Sequence, residues 1–323
     1  MASGGCVTDW SNVTLATFNQ SLLENPALCT PCTCPLTLQG IQLAWIDYYP
    51  TLAGNVLFAA IFGILFVLQI FLGIRHKTRG FMIAMSLGLI LEIIGYVGRI
   101  LLRGSMFEFS YFLMYLICLT IGPAFFSAAI YFTLSRIIVV YVPERARFRP
   151  QTYTYIFITF DVIALILQAA GGAVAASEPA NSAGAKSGID VMVAGVAWQV
   201  ASMAIFGLLS LDYLWRVMHR NPVIHHPNPA FDTLRAKKSF QPHFMIGLFF
   251  SALFIFVRSV FRCAELSGGF SGPLANEEIT FMILEGTMII LACSLLTAFH
   301  PGRVMGTAGW AISSWKNGRS SKV

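Results

Sequence analysis

The chain has 323 residues, of which 56% are hydrophobic and 11% charged, with a formal net charge of +6, whereas soluble domains carry about 45–50% apolar and about 25% charged residues. Mean hydropathy is +0.71; so few charges cannot screen that much apolar surface, and lipid is the solvent for most of the chain. A soluble enzyme, a nucleic-acid reader and a disordered scaffold are excluded, and the basic excess bears on membrane orientation rather than on nucleic acid.

Residues 1–48 form a tail without Lys or Arg. Asn12-Val13-Thr14 is a glycosylation sequon, meaningful only outside the cytosol. Cys6, Cys29, Cys32 and Cys34 would allow two disulfides in an oxidising compartment. Cys32-Thr33-Cys34 is too tight for a mutual bridge, which leaves open that one pair stays unbridged. A zinc site there has no histidine support. No basic region followed by a short apolar run precedes the first span, so no cleavable signal peptide is expected and that span serves as the insertion signal.

A bilayer core of about 30 Å needs roughly 20 apolar residues of helix. Seven segments qualify, near 51–74, 80–102, 110–140, 153–176, 190–214, 243–265 and 279–299. Their apolar runs are continuous, without barrel-strand alternation, so each reads as helix. The third is longer than the core requires, and its end near Arg136 is expected to reach the headgroup region. The fold class is therefore an all-α integral membrane protein, a bundle of seven transmembrane helices. It divides into a Cys-containing tail (1–48), the helical domain (49–302) and a basic tail (303–323).

Connections after spans one, three and five, with the C-terminal tail, hold fifteen Lys and Arg; the other side holds Arg103 and Lys186. The positive-inside rule then puts the N-terminus outside and the C-terminus in the cytosol. The two faces are called below the basic side and the tail side.

Ionisable residues at membrane depth are costly unless paired or hydrated, which makes them functional candidates. Span two carries Glu92, Tyr96 and Arg99 on one helix face, and span six carries Arg258, Arg262 and Glu265 at the same spacing. Asp161 and Gln168 lie seven apart in span four, and Glu285 lies one heptad after Glu278. Spans two and six run in the same direction, and helical rise places opposite charges at similar heights. That predicts the pairs Glu92–Arg258 and Arg99–Glu265, with Arg262 near Glu285. Buried ion pairs can serve only to fix a bundle's packing; gathered as a cluster, these residues point to a polar cavity in the tail-side half.

Other residues read more simply. Pro123 beside Gly122 should kink span three and free backbone carbonyls. Ser127, Tyr131 and Ser135 at four-residue steps are expected to glue helices together. Gly171-Gly172 is expected to end span four, and Gly95-x-x-Gly98 permits close helix contact. Trp45, Tyr48, Tyr49 and Trp215 fit interfacial anchors, while Trp198 is deep enough to line a cavity. Cys118, Cys263 and Cys293 read as small packing residues. His219, His225 and His226 form no convincing metal site. Phosphate-loop, zinc-protease, nucleophile-elbow and kinase motifs are missing, and span seven has no Lys for a retinal Schiff base. The expectation is a non-enzyme without cofactor or metal.

Several stretches together resemble a known group. They are Tyr49-Pro50-Thr51 with Asn55, Leu91-Glu92 running to Gly95-Tyr96 and Arg99, and Gly122-Pro123-Ala124 with Ala129 and Tyr131. They continue through Phe157, Asp161, Gln168 and Gly171-Gly172, then Val257-Arg258-Ser259 with Phe261-Arg262 and Glu265, then Glu278 and His300-Pro301-Gly302. The chain from about 48 to 302 resembles the fungal lipid-translocating exporter family, the RTA-like proteins. Phe281 stands where Tyr is expected and Glu285 where Asp is expected. The resemblance implies a seven-span protein of a fungal membrane, the plasma membrane before an endomembrane or vacuole, that exports or flips amphipathic lipids. Sphingoid bases are the implied substrates, with tolerance of membrane-active toxicants a consequence and porphyrin movement known for some members.

Membrane lipids are thus the expected partners. A sphingoid base is a cationic amine on a long chain, so Glu92, Asp161, Glu265 and Glu285 are candidates to meet its headgroup. The alternative is a seven-helix lipid receptor or sensor signalling through its cytosolic loops. Those loops are short, and receptor-type D-R-Y and N-P-x-x-Y motifs are missing.

Overall fold

In the computed structural model the described residues are 29–140 (apart from 31 and 40), 149–177, 182–219, 244–268 and 272–312 (apart from 273), with 13, 18–19 and 21–22 in the tail. Asn12, Cys6, His225 and His226 lie outside them. Seven helical spans are long and apolar enough to cross a bilayer, close to the boundaries expected. They are α1 (Leu52–Arg75), α2 (Arg79–Gly104), α3 (Phe109–Val140), α4 (Pro150–Ser177), α5 (Ala183–His219) and α6 (Met245–Ser267), followed by a composite seventh span. The seventh begins as α7 (Glu278–Phe281), widens into a π-helical turn over Met282–Thr287 and continues as α8 (Met288–Ala298). After His300, α9 (Pro301–Ile312) is interrupted at Gly306, whose φ of 72° no helix continues through.

Consecutive spans pack on one another and the seventh returns to α1, closing the ring, while α3 also touches α6 and is the most buried span. Large apolar side chains such as Ile64, Val67, Phe71, Ile166 and Leu208 point outward, an arrangement stable only in lipid. This is a multi-pass membrane protein.

Bare glycine backbone sets two of the closest contacts. Gly171 of α4 and Gly188 of α5 meet backbone to backbone, where a Cβ on either would collide with the facing main chain. The expectation that Gly171-Gly172 ends span four is therefore corrected: α4 runs on to Ser177, and Gly171 serves helix contact rather than termination.

Over the tail-side mouth, an antiparallel pair β1 (Thr37–Leu38) and β2 (Ile41–Gln42) leads into a segment laid across the helix ends. Cys29 and Cys34 are disulfide-bonded, and Cys32 is disulfide-bonded too. Trp45 stacks on Phe112 and donates from Nε1 to the Phe107 carbonyl at 3.2 Å. The Asp47 amide donates to Asn276 at 2.9 Å, and Arg103 donates to the Pro50 carbonyl at 2.8 Å. Thr51, the N-cap of α1, donates its amide and hydroxyl to the Glu278 carboxylate, which ties the first span to the seventh. On the basic side, Arg136 donates to the Trp310 carbonyl at 2.8 Å and lies over its ring, fastening α9 to α3.

Candidate functional site

The nine candidate residues are buried at lipid depth, but they separate into three groups. The largest gathers Glu92 of α2, Arg258, Arg262 and Glu265 of α6, and Glu285 of the π-helical turn against α3. Arg258 pairs with Glu285, and Arg262 donates to Glu265 at 2.7 Å within its own helix. The expected pairs Glu92–Arg258 and Arg99–Glu265 do not form, and Arg262 takes Glu265 in place of Glu285. Helical rise yields a height along the bundle axis but no azimuth around it. In the seventh span the π turn adds a residue per turn and re-aims Glu285 toward α6.

Pro123 is the hinge of this arrangement. It lacks an N–H, so the carbonyl four residues earlier, Leu119, has no helical donor. Arg258 donates to that carbonyl as well as to Glu285. Thr120, the next residue of α3, donates to the Leu116 carbonyl about one turn back, and Arg262 donates to Thr120 Oγ1 at 3.1 and 3.2 Å. Both guanidiniums are thus held by one carboxylate and by α3. The expectation that Pro123 frees a carbonyl is met, and α3 stays one helix through it.

Glu92 is the odd member. It is 1% exposed, no donor reaches its Oε1, and it forms no ion pair among the described residues. Its carboxyl lies over bare backbone at Gly122, where a Cβ would stand 2.8 Å from Oε1. Three carboxyls therefore share two guanidiniums, and the third is costly in a dry site unless it holds a proton or a cation. Tyr96, one turn away, stacks on Phe62 and packs its hydroxyl against Gly286, with no hydrogen-bond partner.

Arg99 forms the second group, at the mouth. No carboxylate pairs with it among the described residues. It donates to Asn55 Oδ1 at 3.1 Å and to the Tyr48 hydroxyl at 2.9 Å, and lies over the Phe281 ring at 3.9 Å and the Tyr115 ring at 5.3 Å. Aromatic faces and neutral oxygens replace the expected acid. Burial pushes the Tyr48 phenol up, with Arg99 pulling the other way. Asn55, Tyr48, Tyr115 and Thr120 were not among the candidates. Asn55 was the legible one, a polar residue one turn into an apolar span.

The third group lies behind α3. Asp161 of α4 faces the Tyr131 hydroxyl, and Gln168 donates to Gln199 Oε1 of α5 at 3.0 Å. Asp161 is 4% exposed, and neither of its oxygens receives a well-formed hydrogen bond. Gln199 was missed, though an amide in an apolar span was the available signal.

The expected polar cavity in the tail-side half is also corrected. The ionic residues there are packed on one another and on α3, with exposures of 0–4%. A cavity of about 440 Å³ opens instead in the basic-side half between α3, α5 and α6, lined almost wholly by apolar side chains. Trp198 does not line it; it is 43% exposed and edges against Phe160. Among the described residues no His, Cys, Asp and Glu cluster could hold a metal.

A sequence model of the family described as "RTA1 like protein" matches residues 85–308, which takes in all nine candidate residues. The chain belongs to the RTA1-like family. Among its relatives, the sphingoid long-chain base transporter RSB1 of Saccharomyces cerevisiae is 32% identical over 276 residues, covering 78% of this RTA1-like chain and 72% of the relative. Protein RTM1 of the same species is 25% identical, with 67% and 66% of the two chains covered. The probable lipid transporter atnI of Emericella nidulans is 24% identical, with 80% and 67% covered. No solved structure matches.

Proposed function

We propose that this protein is a transporter that moves single-chain amphipathic lipids of the sphingoid-base class between leaflets or out of the cell, and that it is not an enzyme. The observation that carries this reading is a pair of buried carboxyls, Glu92 and Asp161, to which the bundle supplies no arginine partner. Glu265 and Glu285 are neutralised internally, and the Arg258–Glu285 pair ties α6 to the seventh span. Glu92 and Asp161 sit in different helices and different groups, and a cationic amine would satisfy each in turn. The relatives named as a sphingoid long-chain base transporter and a probable lipid transporter support the same reading and favour it over a receptor.

The N-terminus lies outside and the C-terminus in the cytosol in this reading. Positive-inside counting supports it, as does a disulfide-bonded tail, which belongs in an oxidising compartment. Asn12 is then a glycosylation site, the plasma membrane is the host membrane, and toxicant tolerance follows from export.

The test is translocation of a fluorescent sphingoid base in proteoliposomes, wild type beside Glu92→Gln. Movement in wild type that is lost in a folded Glu92→Gln supports the reading. A folded wild type that binds labelled base but moves none would restore the lipid-sensor alternative.

A further inference from the structure

The cavity between α3, α5 and α6 has a floor and a mouth of different character. Ile130, Met203 and Phe206 are buried and form its floor, whereas Leu208 and Phe249, also lining it, are 68% and 49% exposed. Its volume, about 440 Å³, lies within the range of small-ligand sites, roughly 300–1,000 Å³. The outward-facing lining residues belong to lipid-crossing helices, so the mouth opens sideways into the hydrocarbon rather than into water. The lining comes from the ends of α3 and α5 and the start of α6, which are the helix ends on the basic side.

Behind the floor lies the Asp161 group. Phe206 packs its ring 4.5 Å from that of Tyr131 and 5.1 Å from that of Phe157, which sits one turn before Asp161 on the same face of α4. Ser127 approaches the Met203 sulfur at 3.9 Å. The side chains of Phe206 and Met203 are therefore a partition, with apolar space on one side and a buried hydroxyl–carboxyl pair on the other. Methionine has three rotatable bonds and no fixed shape, so its half of the partition can yield. A carboxylate at this depth needs a cation or a proton, and neither Asp161 oxygen has a well-formed donor.

We infer that this cavity takes the alkyl chain of a single-chain cationic lipid entering sideways from the leaflet on the basic side, and that Asp161, beyond the Met203–Phe206 partition, is the counter-ion its amine reaches. The inference rests on the lipid-moving reading and names an entry site for it. The charge complementarity singles out an amine: a neutral headgroup would leave the carboxylate unanswered, and a zwitterionic one would bring in a phosphate with no cation to meet it.

The test uses the full chain reconstituted in phosphatidylcholine vesicles and three photo-crosslinkers with the same mid-chain diazirine: a long-chain primary amine, the matching alcohol and a phosphatidylcholine. Adducts mapped by peptide mass spectrometry are expected within 203–214 and 245–256, from the amine over the other two. Asp161→Asn should cut the amine's advantage about ten- to hundredfold, the range for removing a charge-assisted hydrogen bond. Gly207→Leu provides a filling variant, because Gly207 lines the cavity and a Cβ there meets nothing within 4 Å. It also replaces a helix-interior glycine with a better helix former, and it should abolish the adducts. Equal labelling by phosphatidylcholine, adducts that map elsewhere, or adducts undiminished in Gly207→Leu would overturn the site. Translocation in the same vesicles keeps the two readings apart. Cavity adducts without wild-type movement would end the transport reading and leave the site standing, whereas full movement by a folded Gly207→Leu would end the entry site and leave transport standing.

Discussion

Two acidic regions of this bundle answer the same physical problem in opposite ways. Around α6, carboxylates buried in the tail-side half are met by Arg258 and Arg262 and clamped onto α3. Behind α3, Asp161 is as deeply buried but is met only by a tyrosine hydroxyl and lies one aromatic ring from an apolar cavity. A lone carboxylate is expensive in lipid, and a bundle that needed only packing would have no use for one. Under the proposed function, the paired arginines and carboxylates (the arginine-saturated region) hold the helices, and the carboxyls left without an arginine, Asp161 and, beside those pairs, Glu92, carry the traffic.

The largest effect expected from that division is on stability in the saturated region. Arg262→Met leaves Glu265 buried without its partner, and breaking such a pair by removing one member costs about 3–5 kcal/mol. Thermal unfolding in detergent should show the loss, and Arg262→Met with Glu265→Leu should recover most of it. If the double variant regains stability and still translocates, the pair is structural; if it is stable and dead, the arginine-saturated region is part of the path and the contrast fails.

Next in size is a change in activity without a change in folding. Glu92→Gln removes an acidic group whose Oε1 no donor reaches, so unfolding should be unchanged or raised, while translocation of a cationic amphiphile falls about ten- to hundredfold. A neutral analogue of the same chain length should be far less affected. Stability that falls as it does for Arg262→Met would place Glu92 with the structural carboxylates.

Much of the first region was legible in the sequence, and its wiring was not. Apolar run length located seven helices because every backbone group in lipid must be bonded within its own helix, and the period of 3.6 put Glu92, Tyr96 and Arg99 on one buried face. The Arg262–Glu265 pair sat in plain view at i and i+3, yet equal depth on two helices suggested partners across the bundle. Three things decided otherwise: the π turn that carries Glu285 toward α6, the carbonyl that Pro123 leaves open at Leu119, and the neutral cradle of Tyr48 and Asn55 around Arg99. Depth is linear in residue number; azimuth depends on helix rotation, which no single span's sequence records. The cavity was beyond sequence for the same reason, since its lining comes from three helices and reads in each as ordinary apolar sequence.

A smaller effect distinguishes the neighbourhood of Asp161 from Asp161 itself. Gln168→Leu removes one amide–amide hydrogen bond to Gln199, and such bonds between membrane helices average about 0.6 kcal/mol and reach about 1.7. Unfolding should shift by that amount, and translocation should hold within a few-fold. A loss of transport matching that of Asp161→Asn would extend the path along α4 beyond the carboxyl.

The smallest net change is expected at Pro123, where two larger ones oppose. Alanine in a helix interior is favoured over proline by about 3 kcal/mol in water, and Pro123→Ala would restore an N–H to the Leu119 carbonyl. That carbonyl is already bonded by Arg258, and the restored N–H would compete with the guanidinium for it, leaving Arg258 on Glu285 alone. A hydrogen bond to a charged group contributes about 1.5–3 kcal/mol, so the two terms largely cancel, and the net stabilisation should lie between about 0 and about 1.5 kcal/mol. The double variant Pro123→Ala with Arg258→Met, read against Arg258→Met alone so that the loss of the Glu285 pair cancels, separates them, because the helical gain then has nothing to oppose it at Leu119. A single variant stabilised by the full proline-to-alanine difference would mean that Arg258 does not depend on α3, and the arginine-saturated region would then be held by its carboxylates alone.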